Sequence, residues 1–358
     1  MENRIIGIDV ARALAIIGMI LVNFKMIFGQ EGDSWLLNFT ALFEGKAAAL
    51  FVILAGIGIA FMTNKAIQNN DKVQLRQARI KIFKRALLLF IIGLSYIIIW
   101  PADILHFYGI YMLVTLFFLK GNTRHIIFGI LSFLLLYPVL MFFIAYDTGW
   151  NFNNYSYTDF WTINGFVRNL FYNGFHPVIP WTAFMLLGLW FGRQDLNNEK
   201  FIKKTFIVCV LIVIGMQLFS KALIYILSEG NEKIITELAP ILGTSPMPPL
   251  PIYMISSSSV ALCVICVCIW FAKRMQHGLV IKILKSTGQL ALTFYVAHII
   301  LGIGIVELLS TKALGEFSIE FSVLYAIVFS SICIAFAGIW TRYKKYGPLE
   351  WILRKLTG

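Results

Sequence analysis

Residues 4–25 read RIIGIDVARALAIIGMILVNFK, and from position 5 to position 28 only Asp9, Arg12, Asn23 and Lys25 break an apolar run. About 20 such residues, rising 1.5 Å each, cross a hydrocarbon core of about 30 Å. This stretch therefore predicts a membrane-spanning helix with polar groups near both ends. Asp9 and Arg12 are three positions apart and share one helix face. An ionisable pair inside a span is costly unless it faces protein or water. The pair is either a structural ion pair at the rim, locking this helix to a neighbour, or part of a site for a polar ligand. Asn23 and Lys25 stand at the other end, so one helix presents polar groups to both sides of the membrane.

The rest of the chain extends this reading. Of its 358 residues 59% are hydrophobic and only 13% charged, whereas a soluble domain has roughly 45–50% apolar and about 25% charged residues. Mean hydropathy is +0.80. The sequence predicts an all-α, polytopic integral membrane helix bundle, a single transmembrane domain over residues 1–358. Apolar runs mark about ten transmembrane helices, near 6–28, 46–63, 86–100, 104–119, 125–146, 178–192, 204–227, 253–272, 287–309 and 320–341. The first run is too long, and too charged at Asp9 and Arg12, for a signal peptide.

The formal net charge is +12. Its distribution follows the positive-inside rule and not a nucleic-acid surface, because the basic residues gather in short loops. Residues 65–85 hold Lys65, Lys72, Arg76, Arg79, Lys81, Lys84 and Arg85 against Asp71, which makes this loop cytoplasmic. Alternation then places both termini in the cytoplasm. Residues 120–125, 193–204 and 273–285 and the tail 342–355 agree. The outward loops carry Glu31, Asp33, Asp103, Asp147, Asp159, Glu229, Glu232 and Glu237.

Two outer loops are long, 147–177 and 228–251. The first is rich in aromatics and Asn; an aromatic belt at the membrane surface is the preferred reading, and a lid or carbohydrate platform the other. The second ends in SPMPPLP, which cannot be helical and should cap the eighth span. Residues 347–357, GPLEWILRKLT, place Pro348 at a helix start and Leu349, Ile352, Leu353 and Leu356 at helical spacing. They predict an interfacial amphipathic helix on the cytoplasmic surface. Gly45, Ala49, Gly56, Gly58, Gly188 and Gly192 permit close helix approach. The five cysteines all fall in apolar runs, so no disulfides are expected. Cys263, Cys266 and Cys268 read as buried apolar side chains, not as metal ligands.

Topology sorts the remaining polar residues by side. Asp103 and His106, in PADILHFYGIY, are three apart at the outer start of the fourth span. A carboxylate there fixes the imidazole tautomer and raises its basicity, which is half of a general acid–base device. His176 opens the sixth span in HPVIPW. His298 lies mid-span in GQLALTFYVAHIILG, beside Gln289, Thr293 and Tyr295, as either a packing residue or a functional one. Asn23, Lys25, Glu44, Lys46 and Trp181 complete the outer set. On the inner side Asp9, Arg12, Lys84, Arg85, Arg193, Arg274, Lys282, Lys285 and Arg342 suit the phosphates of a nucleotide-like ligand, although lipid headgroups also explain many of them. No glycine-rich phosphate loop, GxSxG or HExxH occurs. Without a soluble nucleotide-binding domain, ATP-driven transport within this chain is excluded.

The opening RIIGIDVARALAIIGMILVNF resembles the R-I-x-x-I-D-x-x-R-G-x-A start of bacterial YeiB-type membrane proteins, with Ala13 in place of the Gly. It also resembles the membrane catalytic region of heparan-α-glucosaminide N-acetyltransferase. DILHFYGIYML, HPVIPWTAFMLLGLWFGR, GQLALTFYVAH and GPLEWILRKLT look like YeiB-type blocks in the same order, over nearly the whole chain. TFYVAH also looks like the acetyltransferase's YVGH, with His298 on the matching position. One departure is plain: the heparan enzyme carries its proposed catalytic His in the first outer loop, and residues 26–44 here contain none.

The resemblance implies a transmembrane acyltransferase of the bacterial cytoplasmic (inner) membrane, moving an acyl group, acetyl above all, from cytoplasmic acyl-CoA. The acceptor is a hydroxyl or amine of an extracytoplasmic or membrane molecule, a sugar being the leading candidate. In that scheme His106, oriented by Asp103, is the first candidate base and His298 the second, and Asn23, Lys25 or Trp181 would stabilise the oxyanion. His176, Trp181, Glu44 and Lys46 would line the acceptor site. Asp9, Arg12, Arg85 and Arg274 would hold acetyl-CoA, with no metal. The expected partners are membrane lipids and a small-molecule or glycan acceptor, not nucleic acid; a homodimer is an expectation by analogy alone. The rival reading is a permease for a small polar solute or lipid, with Asp9, Arg12 and His298 along its path. A third is a structural membrane partner without chemistry.

Overall fold

The computed structural model describes residues 4–152 and 155–358. Asn153 and Asn154 of the long aromatic loop lie outside them. Helix α1 (Ile6–Phe28) is unbroken and is followed by a short α2 (Ser34–Ala41) and by α3 (Lys46–Gln68). Next come α4 (Lys72–Ser95), α5 (Leu105–Phe118) and α6 (Thr123–Phe143). A two-residue hairpin (β1, Trp150–Asn151; β2, Ser156–Tyr157) leads into α7 (Ile163–Arg168), which a π turn extends to Asn173, and then α8 (Val178–Phe191). The second half holds α9 (Glu199–Ser228), α10 (Glu232–Leu242), α11 (Pro251–Arg274) and α12 (Leu279–Gln289). Helix α13 (Ala291–Ala297) runs through a π segment (His298–Ile303) into α14 (Gly304–Leu309) before α15 (Ile319–Tyr343) and α16 (Pro348–Thr357).

Local chemistry sets several of these starts. Asp71, Asn122, Asn198, Asn231 and Ser318 each accept first-turn amides of the helix that follows, which satisfies donors that have no partner within the helix. The proline-rich run before α11 is non-helical, and Pro251 takes the first helical position, where its missing N–H costs nothing.

Seven helical stretches among the described residues are long and apolar enough to cross a membrane, or eight if the bent pair Ile163–Asn173 and Val178–Phe191 counts as one. The chain is thus a multi-pass helical membrane protein. The expected spans near 86–100 and 104–119 fall on α4 and α5. The first half of α4 is strongly basic, and α5 has 14 residues, a rise of about 21 Å.

Packing centres on α1, α3, α8 and α11. An ideal Cβ on Gly56 would lie 2.0 Å from the Met185 carbonyl oxygen, and one on Gly188 would lie 2.0 Å from that of Ile53. Helices α3 and α8 therefore touch backbone to backbone, the close approach that small residues permit. Gly188→Leu is expected to destabilise the protein by about 3 kcal/mol or more, since the backbone has no room to yield. Gly215→Leu on α9, where nothing lies within 4 Å, is the matched control. Thermal unfolding in detergent checks the pair, and equal midpoints would refute the close contact.

The 147–177 loop is a folded cap and more than a belt of separate aromatics. Asn173, fully buried, donates to the Tyr146 and Thr148 carbonyls at 2.8 Å and accepts from the Tyr157 hydroxyl at 2.6 Å. Arg168 joins Tyr157 to Asp159. The tail is helical as expected, but its inward face is not simply apolar, because Glu350 points into the bundle.

Candidate functional site

Two cavities approach each other from opposite ends of α1. The one at the α1 N-terminus is about 270 Å³ and is lined by five cations, Arg4, Arg12, Arg85, Lys345 and Arg354, against two carboxylates, Asp9 and Glu350. The one at the α1 C-terminus is about 50 Å³, room for a few waters, and its polar lining is Asn23, His176 and Tyr295. The same elements wall both. Phe51 of α3 faces the basic cavity, and Ala47 and Ala48 face the other. Leu105 faces the basic cavity, and Ile104, its neighbour, the other. The start of α5 is thus a septum between the cavities, bracketed in sequence by Asp103 and His106.

Both carboxylates of the basic cavity are engaged within the protein. Asp9, 1% exposed, accepts from Arg4 Nε at 2.7 Å and Arg12 Nη1 at 2.9 Å. Its partners lie on its own segment, so it positions two arginines at the cavity wall and does not lock α1 to a neighbour. Glu350 accepts the Leu292 and Thr293 amides at 2.8 and 3.1 Å and the Thr293 hydroxyl at 2.5 Å. These are first-turn donors of α13, so the tail helix caps the helix that carries Tyr295. Burial pushes the Glu350 carboxyl above the ordinary carboxylate range, while the Thr293 and Leu292 donors pull it back. The cations remain in excess for an anionic ligand. Arg85 Nε is buried with no partner among the described residues.

The septum holds a buried polar network. Asp103, 0% exposed, accepts from Tyr96 Oη at 2.7 Å and Tyr295 Oη at 3.0 Å on Oδ1. On Oδ2 it accepts from the His106 backbone amide and lies 3.1 Å from His106 Nδ1. Tyr295 in turn accepts the Ile104 amide at 3.1 Å. A carboxylate facing Nδ1 assigns the proton there, which leaves Nε2 as a lone pair. That atom is buried and has no partner among the described residues.

His298 differs. Its Nδ1 faces the Phe294 carbonyl at 3.3 Å, and Nε2 accepts from Asn23 Nδ2 at 2.9 Å. Both its nitrogens are occupied.

The remaining expected residues divide. His176 lines the small cavity, and Trp181, fully buried, stands edge-on to it at 4.6 Å. His176 Nδ1 and Trp181 Nε1 are both without partners among the described residues. Lys25 pairs with Glu44 at 2.6 Å; neither lines either of these two cavities, nor does Lys46. Asp9, Arg12 and Arg85 come together in the basic cavity, but Arg274 does not. It lines a separate cavity between α9 and α11. Arg193 is also engaged elsewhere, donating to the Leu119 and Gly121 carbonyls at the end of α5. Sequence reasoning did not single out Arg4, Tyr96, Lys345, Glu350 or Arg354 as site residues, nor Tyr108, which lines the basic cavity. Glu350 and Arg354 are four apart and share one face of the tail helix, a signal hidden beside the stronger apolar stripe.

Three comparisons bear on identity. Residues 4–229 match the family described as heparan-alpha-glucosaminide N-acetyltransferase, catalytic. Residues 190–358 match a family described as protein of unknown function, DUF418. The chain is 23% identical over 415 aligned positions to the uncharacterized protein YxaH of Bacillus subtilis (strain 168), covering 100% of this chain and 95% of that relative. The first match spans most of the chain and contains the septum, both cavity walls on α1 and α3, and the His106–Asp103 pair. The chain belongs to the heparan-α-glucosaminide N-acetyltransferase catalytic family, in its YeiB-type form.

Proposed function

We propose that the protein is a membrane acyltransferase that passes an acetyl group from cytoplasmic acetyl-CoA, through the septum, to an amine or hydroxyl of a sugar-like acceptor on the far side. The observation that carries this reading is the pair of cavities, one basic and one small, walled by the same elements and meeting at the start of α5, where the buried Asp103 network sits. In this scheme about ten helices cross the bacterial cytoplasmic membrane, both termini are cytoplasmic and the basic cavity opens inward. Arg4, Arg12, Arg85, Lys345 and Arg354 bind the donor's phosphates by charge-assisted hydrogen bonds. The donor supplies a thioester carbonyl at the septum. His106 Nε2 takes the acceptor's proton as the acceptor nitrogen or oxygen attacks that carbon. The C–S bond then breaks, and the thiolate leaves with the proton returned from His106. Asp103 holds the imidazole in the required tautomer, and Asn23, whose amide keeps a second N–H beyond the one given to His298, is the donor available to the developing oxyanion. His298 orients Asn23.

Donor binding is the direct test. A ligand that binds only the folded state at a hundredfold excess over Kd stabilises it by about 2.7 kcal/mol. Acetyl-CoA is expected to raise the unfolding temperature of the purified protein, and Arg12→Ala combined with Arg354→Ala to abolish the rise. A permease has no use for CoA. No shift at millimolar acetyl-CoA, with the protein folded, would overturn the proposal.

A further inference from the structure

The cavity that takes Arg274 away from the donor site has its own chemistry. It is about 470 Å³ and lies between α9 and α11. Its rim carries Lys203, Lys273 and Arg274, and its walls include Ile202, Phe206 and Trp270. Cys266, which also lines it, stands about two turns before Arg274 on α11, so the slot runs roughly 12 Å below the charges. It opens sideways: Phe206 and Trp270 stay 36% and 43% exposed, and the apolar stretch of α9 is only 11% buried against the rest of the chain. Lys273 is paired with Glu199 at 2.7 Å. Arg274 lies over the Trp270 ring at 4.4 Å and has no carboxylate partner among the described residues.

We propose that this slot binds an anionic phospholipid, its phosphate on Arg274 and Lys203 and one acyl chain along Phe206 and Trp270. The chemistry is specific to that occupant. An apolar slot that opens laterally takes a hydrocarbon chain, and cations at its mouth take a phosphate at headgroup depth. A second copy of this chain would bring its own basic loops against the same rim and be repelled. The stacked guanidinium keeps its hydrogen-bond donors free for phosphate oxygens.

The full-length protein, reconstituted in phosphatidylcholine bilayers, tests this with brominated-chain lipids, which quench tryptophan on contact. The emission lost in Trp270→Phe isolates the signal of Trp270. Brominated phosphatidylglycerol is expected to quench that component in preference to brominated phosphatidylcholine at equal mole fraction. Lys203→Gln with Arg274→Gln should reduce the preference about tenfold or more, at about 1 kcal/mol for each cation near the surface. Phe206→Trp supplies a second reporter within the slot should Trp270→Phe not fold. Equal quenching by the two lipids would overturn the proposal. So would quenching by neither, which means that protein covers the slot, or relief of quenching by acetyl-CoA, which would assign it to the donor.

Discussion

His106→Gln is expected to lower acetyl transfer by about 10²- to 10⁴-fold, the usual contribution of a positioned base, with donor binding unchanged. Acetyl-CoA as donor and glucosamine as probe acceptor, followed by release of free CoA thiol, give the readout. The two effects separate because His106 lines neither cavity: its loss removes a proton acceptor and no phosphate contact. Glutamine retains an N–H to donate to Asp103 Oδ2, as Nδ1 does now at 3.1 Å, but has no basic nitrogen at the position of Nε2. His298→Gln should cost much less, because both nitrogens of His298 are already committed, to Asn23 and to the Phe294 carbonyl. His176→Ala should raise the acceptor KM, since His176 stands at the wall of the small cavity. If His106→Gln kept the full rate while His298→Gln lost it, the base would be His298 acting through a rearranged Asn23.

The sequence carried the architecture because a bilayer imposes a strong, one-dimensional code. Length and hydropathy are readable without knowing what packs on what, and they carried the multi-pass helical bundle. The close approach of Gly56 and Gly188 was legible for the same reason, as small residues in apolar runs. The polar core was only half legible. Asp103 and His106 are three apart, so their contact follows from helix spacing, even though Asp103 in fact precedes the first turn of α5. Tyr96 and Tyr295 reach the same carboxylate from seven and 192 positions away, and no local periodicity reports that. Arg274 was misplaced by the converse error: basic residues on one side of a membrane look equivalent in sequence, although Asp9 gathers Arg4 and Arg12 at one cavity while Trp270 holds Arg274 at another. The Glu350 cap was hidden because a carboxylate on an amphipathic helix normally reads as its wet face.

Asp103 separates folding from chemistry most sharply. Asp103→Ala is expected to destabilise the protein by about 3–5 kcal/mol, the usual cost of removing one partner from a buried charged network. It strands the Tyr96 and Tyr295 hydroxyls and the His106 ring N–H in a region with no exposure to water. Each orphaned donor alone costs about 1–3 kcal/mol. Asp103→Asn should behave differently. Its single carbonyl oxygen can keep the two tyrosine hydroxyls, which now share Oδ1, and its amide then faces His106 Nδ1. That nitrogen must become the acceptor, the proton moves to Nε2, and the free lone pair that would take the acceptor's proton is gone. The expected result is a loss of about 1–3 kcal/mol in stability, because the asparagine NH2 now at the Oδ2 position can no longer accept the His106 backbone N–H. The accompanying fall in transfer rate should approach that of His106→Gln, because a wrong tautomer disables a base whose geometry is intact. Unfolding midpoints and CoA release on the same two variants measure both quantities. An asparagine variant that folds and transfers at the wild-type rate would mean that the proton is not taken by His106, and that the Asp103 network is only the seal between the two cavities.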